Sequence, residues 1–321
     1  MTARALTYIA PQQAELRDWP LVEMREGRVL LRTLCTGLSR GTERLVFEGR
    51  VPESEFARMR APFQFGDFPY PVAYGYAAVS EVEAGPPALV GRKVFSLSPH
   101  QDRACLPVEA AIPLPDGVPA ARAVLAANIE TALNAIWDAK LKPGSRVAVI
   151  GAGVLGCLIA GLLSVRKDLS VHVVDLLPER SATLADFHVS FVSTTEELAP
   201  VETVFHTSAS AAGLQASIDL LAFEGQVIEL SWFGATPVTL DLGGAFHSKR
   251  LTIKASQVGH VAAMRRASTS YRERLIQALE RLSDPRFDAL ITEEVAFEAL
   301  PNELPRLLGT DAKGIATRIR Y

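Results

Sequence analysis

Residues 147–165 contain no charged side chain and carry Gly151, Gly153 and Gly156 in a G-x-G-x-x-G arrangement. No other stretch restricts the possible fold as strongly. The β-branched residues Val147, Val149 and Ile150 before the glycines read as a strand, and the small apolar residues after them as a helix. A second apolar run, Val171 to Val174, ends on Asp175, 19 residues past the last glycine. Strand, glycines, helix, strand and acid in that order form the fingerprint of a dinucleotide-binding unit. Gly151 lets the chain leave the strand in a tight turn, Gly153 lets the backbone approach a pyrophosphate, and Gly156 lets the helix lie against the sheet. Val154 and Leu155 open that helix, whose free N–H groups and positive dipole end suit phosphate. Asp175 can accept from both hydroxyls of an adenosine ribose and would repel a 2′-phosphate, so NAD is expected over NADP.

A charge-free run of this length flanked by Arg146 and Arg166 could also be read as a membrane span. The β-branched entry and the turn-forming glycines favour the soluble reading. The chain has 321 residues, 48% hydrophobic and 21% charged, enough for two cores. A net charge of −3 gives no footprint for nucleic acid or anionic lipid. The first residues hold no long apolar stretch, so no secretory signal is expected and a cytoplasmic location is. Cys35, Cys105 and Cys157 are too few and too scattered to frame disulfides or a four-cysteine zinc site.

The first 115 residues read as β-rich, with apolar runs at 28–34, 77–82 and 92–97 punctuated by Gly and Pro. Residues 47–71 lack periodicity and read as a long irregular loop. A helix is expected at 121–139. An alternation typical of a parallel sheet follows, with strands at 146–151, 170–175, 202–207, 225–231 and 251–256 and a helix at 211–221. A second helix is expected at 269–282. The chain closes with a segment at 289–295, a short helix near 300–308 and a strand at 315–321.

This order of parts resembles the medium-chain alcohol dehydrogenase/reductase superfamily over nearly the whole chain. The resemblance rests on the glycine run, on Pro113-Leu-Pro-Asp-Gly-Val118, on Leu141-Lys-Pro-Gly144 and on Phe205-His-Thr-Ser-Ala209. It implies an α/β protein: a GroES-like β-rich catalytic domain at 1–122, a Rossmann doubly wound parallel sheet at 123–259, and a return to the first domain at 260–321. It also implies a homodimer, joined through the last sheet strand at 251–256. The zinc-binding motifs of the superfamily are altered. Gly37-Leu-Ser-Arg-Gly-Thr-Glu43 matches the first, with Ser39 in place of cysteine. Val72-Ala-Tyr-Gly-Tyr-Ala-Ala78 matches the second, with Tyr76 for histidine and Ala77 for glutamate. The third ligand would fall at 127–130, whose context is unlike the family's. Zinc needs three ligands from His, Cys or carboxylate, so a zinc-free site is expected. Residues 37–45 and 126–134 are similar to the zinc-lacking branch that includes the hydroxyethyl-bacteriochlorophyllide dehydrogenases of pigment synthesis.

The resemblance makes Thr42 a candidate proton relay, the alternative being a turn residue capping a helix. Tyr76 is a candidate proton donor to a carbonyl oxygen, or else an aromatic packing near the cofactor. Ser39 is a candidate hydrogen-bond donor to the substrate oxygen. Glu43 either orients the relay or pairs with an arginine. Arg40 is a candidate for the pyrophosphate. Ser208, Ser231 and Trp232 follow two strand ends and are expected to line the nicotinamide pocket. His100, His247 and His260 lack ligand spacing and read as structural, and Lys249-Arg250 as a solvated turn.

These readings lead to a zinc-independent, NAD(H)-dependent oxidoreductase that interconverts an alcohol and a carbonyl. Phe56, Phe63, Phe65, Phe68 and Tyr70 in the long loop suggest an apolar or aromatic small-molecule substrate. The alternatives are an enone or quinone reductase of the same fold, or a catalytically silent NAD-binding sensor.

Overall fold

The computed structural model describes all residues, 1–321, and the chain divides into two compact units, Met1–Ala127 with Ile291–Tyr321, and Asn128–Leu290. The first unit is built on antiparallel pairing. Its longest strand, Arg28–Leu38, opens with Val29, Leu31 and Thr33 buried while Arg32 faces solvent, the period of two that a half-buried strand requires. On one side it pairs with Ala78–Ala84, and on the other with Arg103–Pro107 along its first half and Ala316–Arg320 along its last residues. Val29, Leu31, Val82, Val94, Ala104, Leu106 and Ala111 form the core beneath it. A smaller sheet joins Gln13–Pro20, Thr2–Ala10, Val72–Ala73 and Phe65–Gly66.

The second unit carries a six-stranded sheet, all of it parallel. In space the strands run Ser190–Val192, Ser170–Val174, Arg146–Ile150, Val201–His206, Leu221–Glu229 and Thr252–Ala255, which is the doubly wound order 3-2-1-4-5-6. Val147 to Ile150 are all buried, as a central parallel strand covered on both faces must be. The helix Val154–Leu163 follows directly, and no helix of the chain is long and apolar enough to cross a membrane.

Three of the expected boundaries differ in the structure. Residues 260–290 belong to the parallel-sheet unit, so the return to the first unit begins at Ile291 rather than at 260. A buried ion pair lies in this stretch. Arg274, on the helix Tyr271–Arg281, donates to Glu130 at 2.9 Å and to Asn134 at 2.7 Å, and also to the carbonyls of Val258 and His260. These bonds tie residues 258–274 to the helix Ala126–Ala139, which follows a separate short helix, Ala120–Ala123, where one continuous helix was expected. The first boundary likewise falls after Ala127 rather than 122.

The glycine turn sets a tolerance that can be tested. A Cβ on Gly156 would sit 1.9 Å from the Gly151 carbonyl oxygen and 2.9 Å from Thr207 Oγ1. Backbone cannot yield there cheaply, so Gly156→Ala should cost about 3 kcal/mol. Thermal unfolding should show a midpoint lower by several degrees, whereas an unchanged midpoint would mean that the turn is loose.

Candidate functional site

In the first unit the long strand ends at Leu38, and the helix Arg40–Phe47 starts after Ser39. The Ser39 hydroxyl makes no cap bond to the helix; it accepts instead from the Tyr76 hydroxyl at 2.6 Å. Thr42, in the helix that Ser39 precedes, also acts on the Tyr76 phenol, so hydroxyls from two segments converge. Burial raises the Tyr76 phenol to about 12 against the lowering effect of those two bonds, and the Glu43 charge adds to the rise. The phenol is therefore protonated at neutral pH.

Behind the hydroxyls lies a buried chain of polar groups. Glu43 is completely buried. Its Oε1 accepts from the Ser39 N–H at 2.7 Å, and its Oε2 lies 3.0 Å from the Tyr8 hydroxyl and 2.9 Å from His100 Nε2. His100 Nδ1 in turn meets Thr36 Oγ1 at 2.6 Å, and Thr36 is 3.4 Å from the Tyr321 hydroxyl. Burial holds the Tyr8 and Tyr321 phenols well above their ordinary range, so both remain donors. One direction satisfies every group: Tyr321 to Thr36, Thr36 to His100, and His100 with Tyr8 to Glu43. The expected pairing of Glu43 with an arginine is therefore replaced by Tyr8 and His100.

Arg40 also differs from expectation. Its guanidinium donates to the carbonyls of Leu307, Ala312 and Gly314 and lies 3.8 Å from Glu293. These bonds hold the guanidinium to the C-terminal return. In the long loop, Phe56 and Phe68 pack together, Phe68 packs on Tyr74, Phe65 stacks on Trp19, and Tyr70 donates to the carbonyls of Val46 and Phe47. Of the five rings only Phe63 is exposed, Phe68 is buried, and Phe56, Phe65 and Tyr70 are half-buried. His247 and His260 are exposed. Lys249 donates to the Leu221 carbonyl and Arg250 pairs with Glu224 in the solvent.

No cluster of three His, Cys, Asp or Glu side chains is placed to hold a metal ion. Where zinc ligands would stand, Ser39 and Tyr76 bind each other, Ala77 offers no donor atom, and Glu130 is committed to Arg274.

In the second unit, Gly151 takes φ +105°, which only glycine adopts readily, and its N–H donates to the Val174 carbonyl. Thr207 Oγ1 donates to the Gly151 carbonyl at 2.8 Å. A Cβ on Gly153 would meet nothing within 4 Å, so space stands open over the helix start. Val154 and Leu155, half-buried, begin the helix, and its first N–H groups have no partner within it. This cradle fits a pyrophosphate. Asp175 is buried at the end of the second strand. Its carboxylate accepts from the N–H groups of Ala152 (2.6 Å) and Leu177 (2.9 Å) and from Arg180 (2.8 Å). The arginine offsets the charge expected to repel a 2′-phosphate. Ser208 and Ser231 both reach His206, and Trp232 is half-buried just beyond the fifth strand.

Sequence reasoning missed Tyr8, Thr36, Tyr321, Arg180, His206 and Glu229. For His206 and Glu229 a signal existed, because both end neighbouring parallel strands. For the partners of Glu43 there was none, since residues far apart in sequence meet only once the sheets form.

No family model matches the chain. Among solved structures it is similar to a short-chain alcohol dehydrogenase from Escherichia coli CFT073 complexed with NADH. The TM-score is 0.77 at 15% identity, over 100% of this chain and 99% of that one. It is similar to a dehydrogenase from Sinorhizobium meliloti 1021 bound to NADP, with a TM-score of 0.78 at 14% identity over the whole of both chains. Galactitol-1-phosphate dehydrogenase from E. coli aligns at 0.77 and 14%, over 99% of this chain and 100% of that one. At this identity the likeness concerns fold, and the fold is a GroES-like β-rich unit with a Rossmann sheet.

The buried chain predicts a specific sensitivity. Glu43→Gln turns an acceptor-only group into one whose amide faces the donors Tyr8 and His100. Loss of charge-assisted bonds in a buried site should cost about 2–4 kcal/mol. Denaturant unfolding should read that loss, and wild-type stability would show that the carboxylate is not the acceptor described.

Proposed function

We propose that the chain is a zinc-independent oxidoreductase that interconverts an alcohol and a carbonyl with NAD(H). The observation that carries this reading is the convergence of Ser39, Thr42 and Tyr76 hydroxyls above a buried carboxylate, in a chain whose other unit holds an open glycine turn. The Gly151, Gly153, Val154, Leu155 and Gly156 backbone would hold the pyrophosphate. Asp175 would hold the adenosine ribose, and Ser208, Ser231 and Trp232 the nicotinamide end. The bound nicotinamide supplies hydride acceptance and donation.

The residues of the chain then manage the oxygen. Tyr76 carries its proton at neutral pH and donates a hydrogen bond to the carbonyl oxygen, polarising it in the role that zinc fills elsewhere. As negative charge develops on that oxygen, the phenolic proton moves to it. Ser39, which accepts from the phenol at rest, then turns its own hydroxyl to the phenolate, and Thr42 does the same. Glu43 holds Ser39 in place through its N–H.

A panel of ketones, aldehydes and enones, followed by loss of reduced-nicotinamide absorbance, tests the reading. Turnover on C=O substrates is expected, and Tyr76→Phe should lower kcat by about 10²–10⁴. Because the phenol lies at about 12, kcat for reduction should show no Tyr76 ionisation up to about pH 10. Cofactor binding without turnover on any substrate would favour a silent sensor, and turnover on C=C bonds alone an enone reductase.

NADH should bind more tightly than NADPH, by roughly tenfold, the low end for opposed charges in a partly buried site because Arg180 offsets Asp175. Asp175→Ala should narrow the gap and Arg180→Ala widen it in fluorescence titrations. Equal affinities in the wild type would overturn the NAD assignment.

The strand Thr252–Ala255 ends the parallel sheet with one edge unpaired. Lys254 does not guard it: its ammonium is tied to Asp138 at 2.7 Å. A second copy paired across a two-fold axis would cover such an edge. Light scattering should give a mass near twice 34.7 kDa, and a clean monomer would refute the pairing.

A further inference from the structure

The carboxyl ends of the strands Val201–His206 and Leu221–Glu229 lie level, with His206 directly opposite Glu229. The His206 ring is fully buried and stacks on Phe233. Its Nδ1 lies 2.6 Å from Glu229 Oε2 and its Nε2 2.7 Å from Ser208 Oγ. An ionised carboxylate can only accept, so the hydrogen on Nδ1 points to Glu229 and Nε2 is left as acceptor for the Ser208 hydroxyl. Glu229 is fixed in turn by the Ser231 N–H at 2.6 Å. Ser208 itself is exposed.

The surroundings are fitted to this serine. Its Oγ lies 3.0 Å from Ser210 Oγ, and a Cβ on Gly213 would come within 2.2 Å of Ser208 Oγ and 3.0 Å of His206 Nε2. Glycine at 213 therefore makes the room that the hydroxyl occupies. Ala209, in the left-handed region at φ +52°, turns the chain sharply between the serine and the helix Ala211–Asp219. Ser210 caps that helix, its Oγ accepting from the Gly213 N–H at 3.0 Å.

We propose that Ser208 is a nucleophile, with His206 as its general base and Glu229 orienting the imidazole, and that it accepts the acyl group of small activated carboxylic esters. Ser208 Oγ bonds to the carbonyl carbon as its proton passes to His206 Nε2. The ester C–O bond breaks and the alcohol leaves with that proton. Water, giving a proton to the same nitrogen, then attacks the acyl carbon, and the carboxylic acid departs as Ser208 regains its hydrogen. This step is separate from the oxidoreductase reading and needs no dinucleotide.

The full chain, incubated with a fluorophosphonate and separately with p-nitrophenyl acetate, provides the test, read by intact mass, peptide mapping and nitrophenolate release. One phosphonyl group per chain on Ser208 is expected, absent in Ser208→Ala and at least about 100-fold slower to form in His206→Gln. NADH should slow labelling if its nicotinamide end lies where proposed, but that outcome bears only on the cofactor site. Should His206→Gln fail to fold, Glu229→Gln decides, with labelling slowed at least about tenfold and circular dichroism unchanged. No adduct on Ser208, or wild-type labelling rates in the folded His206 or Glu229 variant, would overturn the proposal.

Discussion

The carboxylate of Glu43 is the constraint on which the first unit depends. A buried charge is tolerated only where donors surround it, and here they come from three places: the strand Thr2–Ala10 through Tyr8, the segment around His100, and the Ser39 backbone. Each bond fixes an element relative to the helix Arg40–Phe47. Through Thr36 and Tyr321 the chain of donors reaches the long central strand and the C-terminal residue. Ser39 is therefore placed by backbone and not by its own side chain, which leaves its hydroxyl free to meet Tyr76.

The second unit is held by close approach. Gly151, Gly156 and Gly213 each sit where a methyl group would strike a neighbour, whereas Gly153 faces open space. Glycine thus plays two parts in one short stretch. Two residues let the helix and the next strand end pack onto the turn, and one keeps the surface clear. The parallel order of the strands brings Ser208, His206, Glu229 and Ser231 to one end of the sheet, which is where open α/β sheets place their chemistry.

Much of this was legible in the sequence because it rests on local pattern. The glycine fingerprint, the β-branched runs and the helix near 300–308 come from short-range periodicity, and the model places them within a few residues of expectation. The hydroxyl set Ser39, Thr42 and Tyr76 could be nominated because each lies in a recognisable segment. What could not be read was pairing across long separations. Glu43 with Tyr8 and His100, Arg40 with the carbonyls near 310, and Arg274 with Glu130 link residues separated by tens to hundreds of positions. The last of these ties the helix Tyr271–Arg281 to residues of the parallel-sheet unit. An unpatterned run such as the long loop likewise does not reveal whether its rings face solvent or one another.

The central claim is that hydroxyl groups, rather than a metal, polarise the substrate oxygen. It rests on donor chemistry: Ser39 and Tyr76 bind each other, Ala77 has no donor, and both nitrogens of the nearby His100 are engaged. The most direct test is the metal content of purified, active protein by elemental mass spectrometry, with turnover measured before and after chelation. The account predicts far less than one zinc per chain and turnover that chelation does not change. About one zinc per chain, with activity lost on its removal and restored on its return, would contradict it.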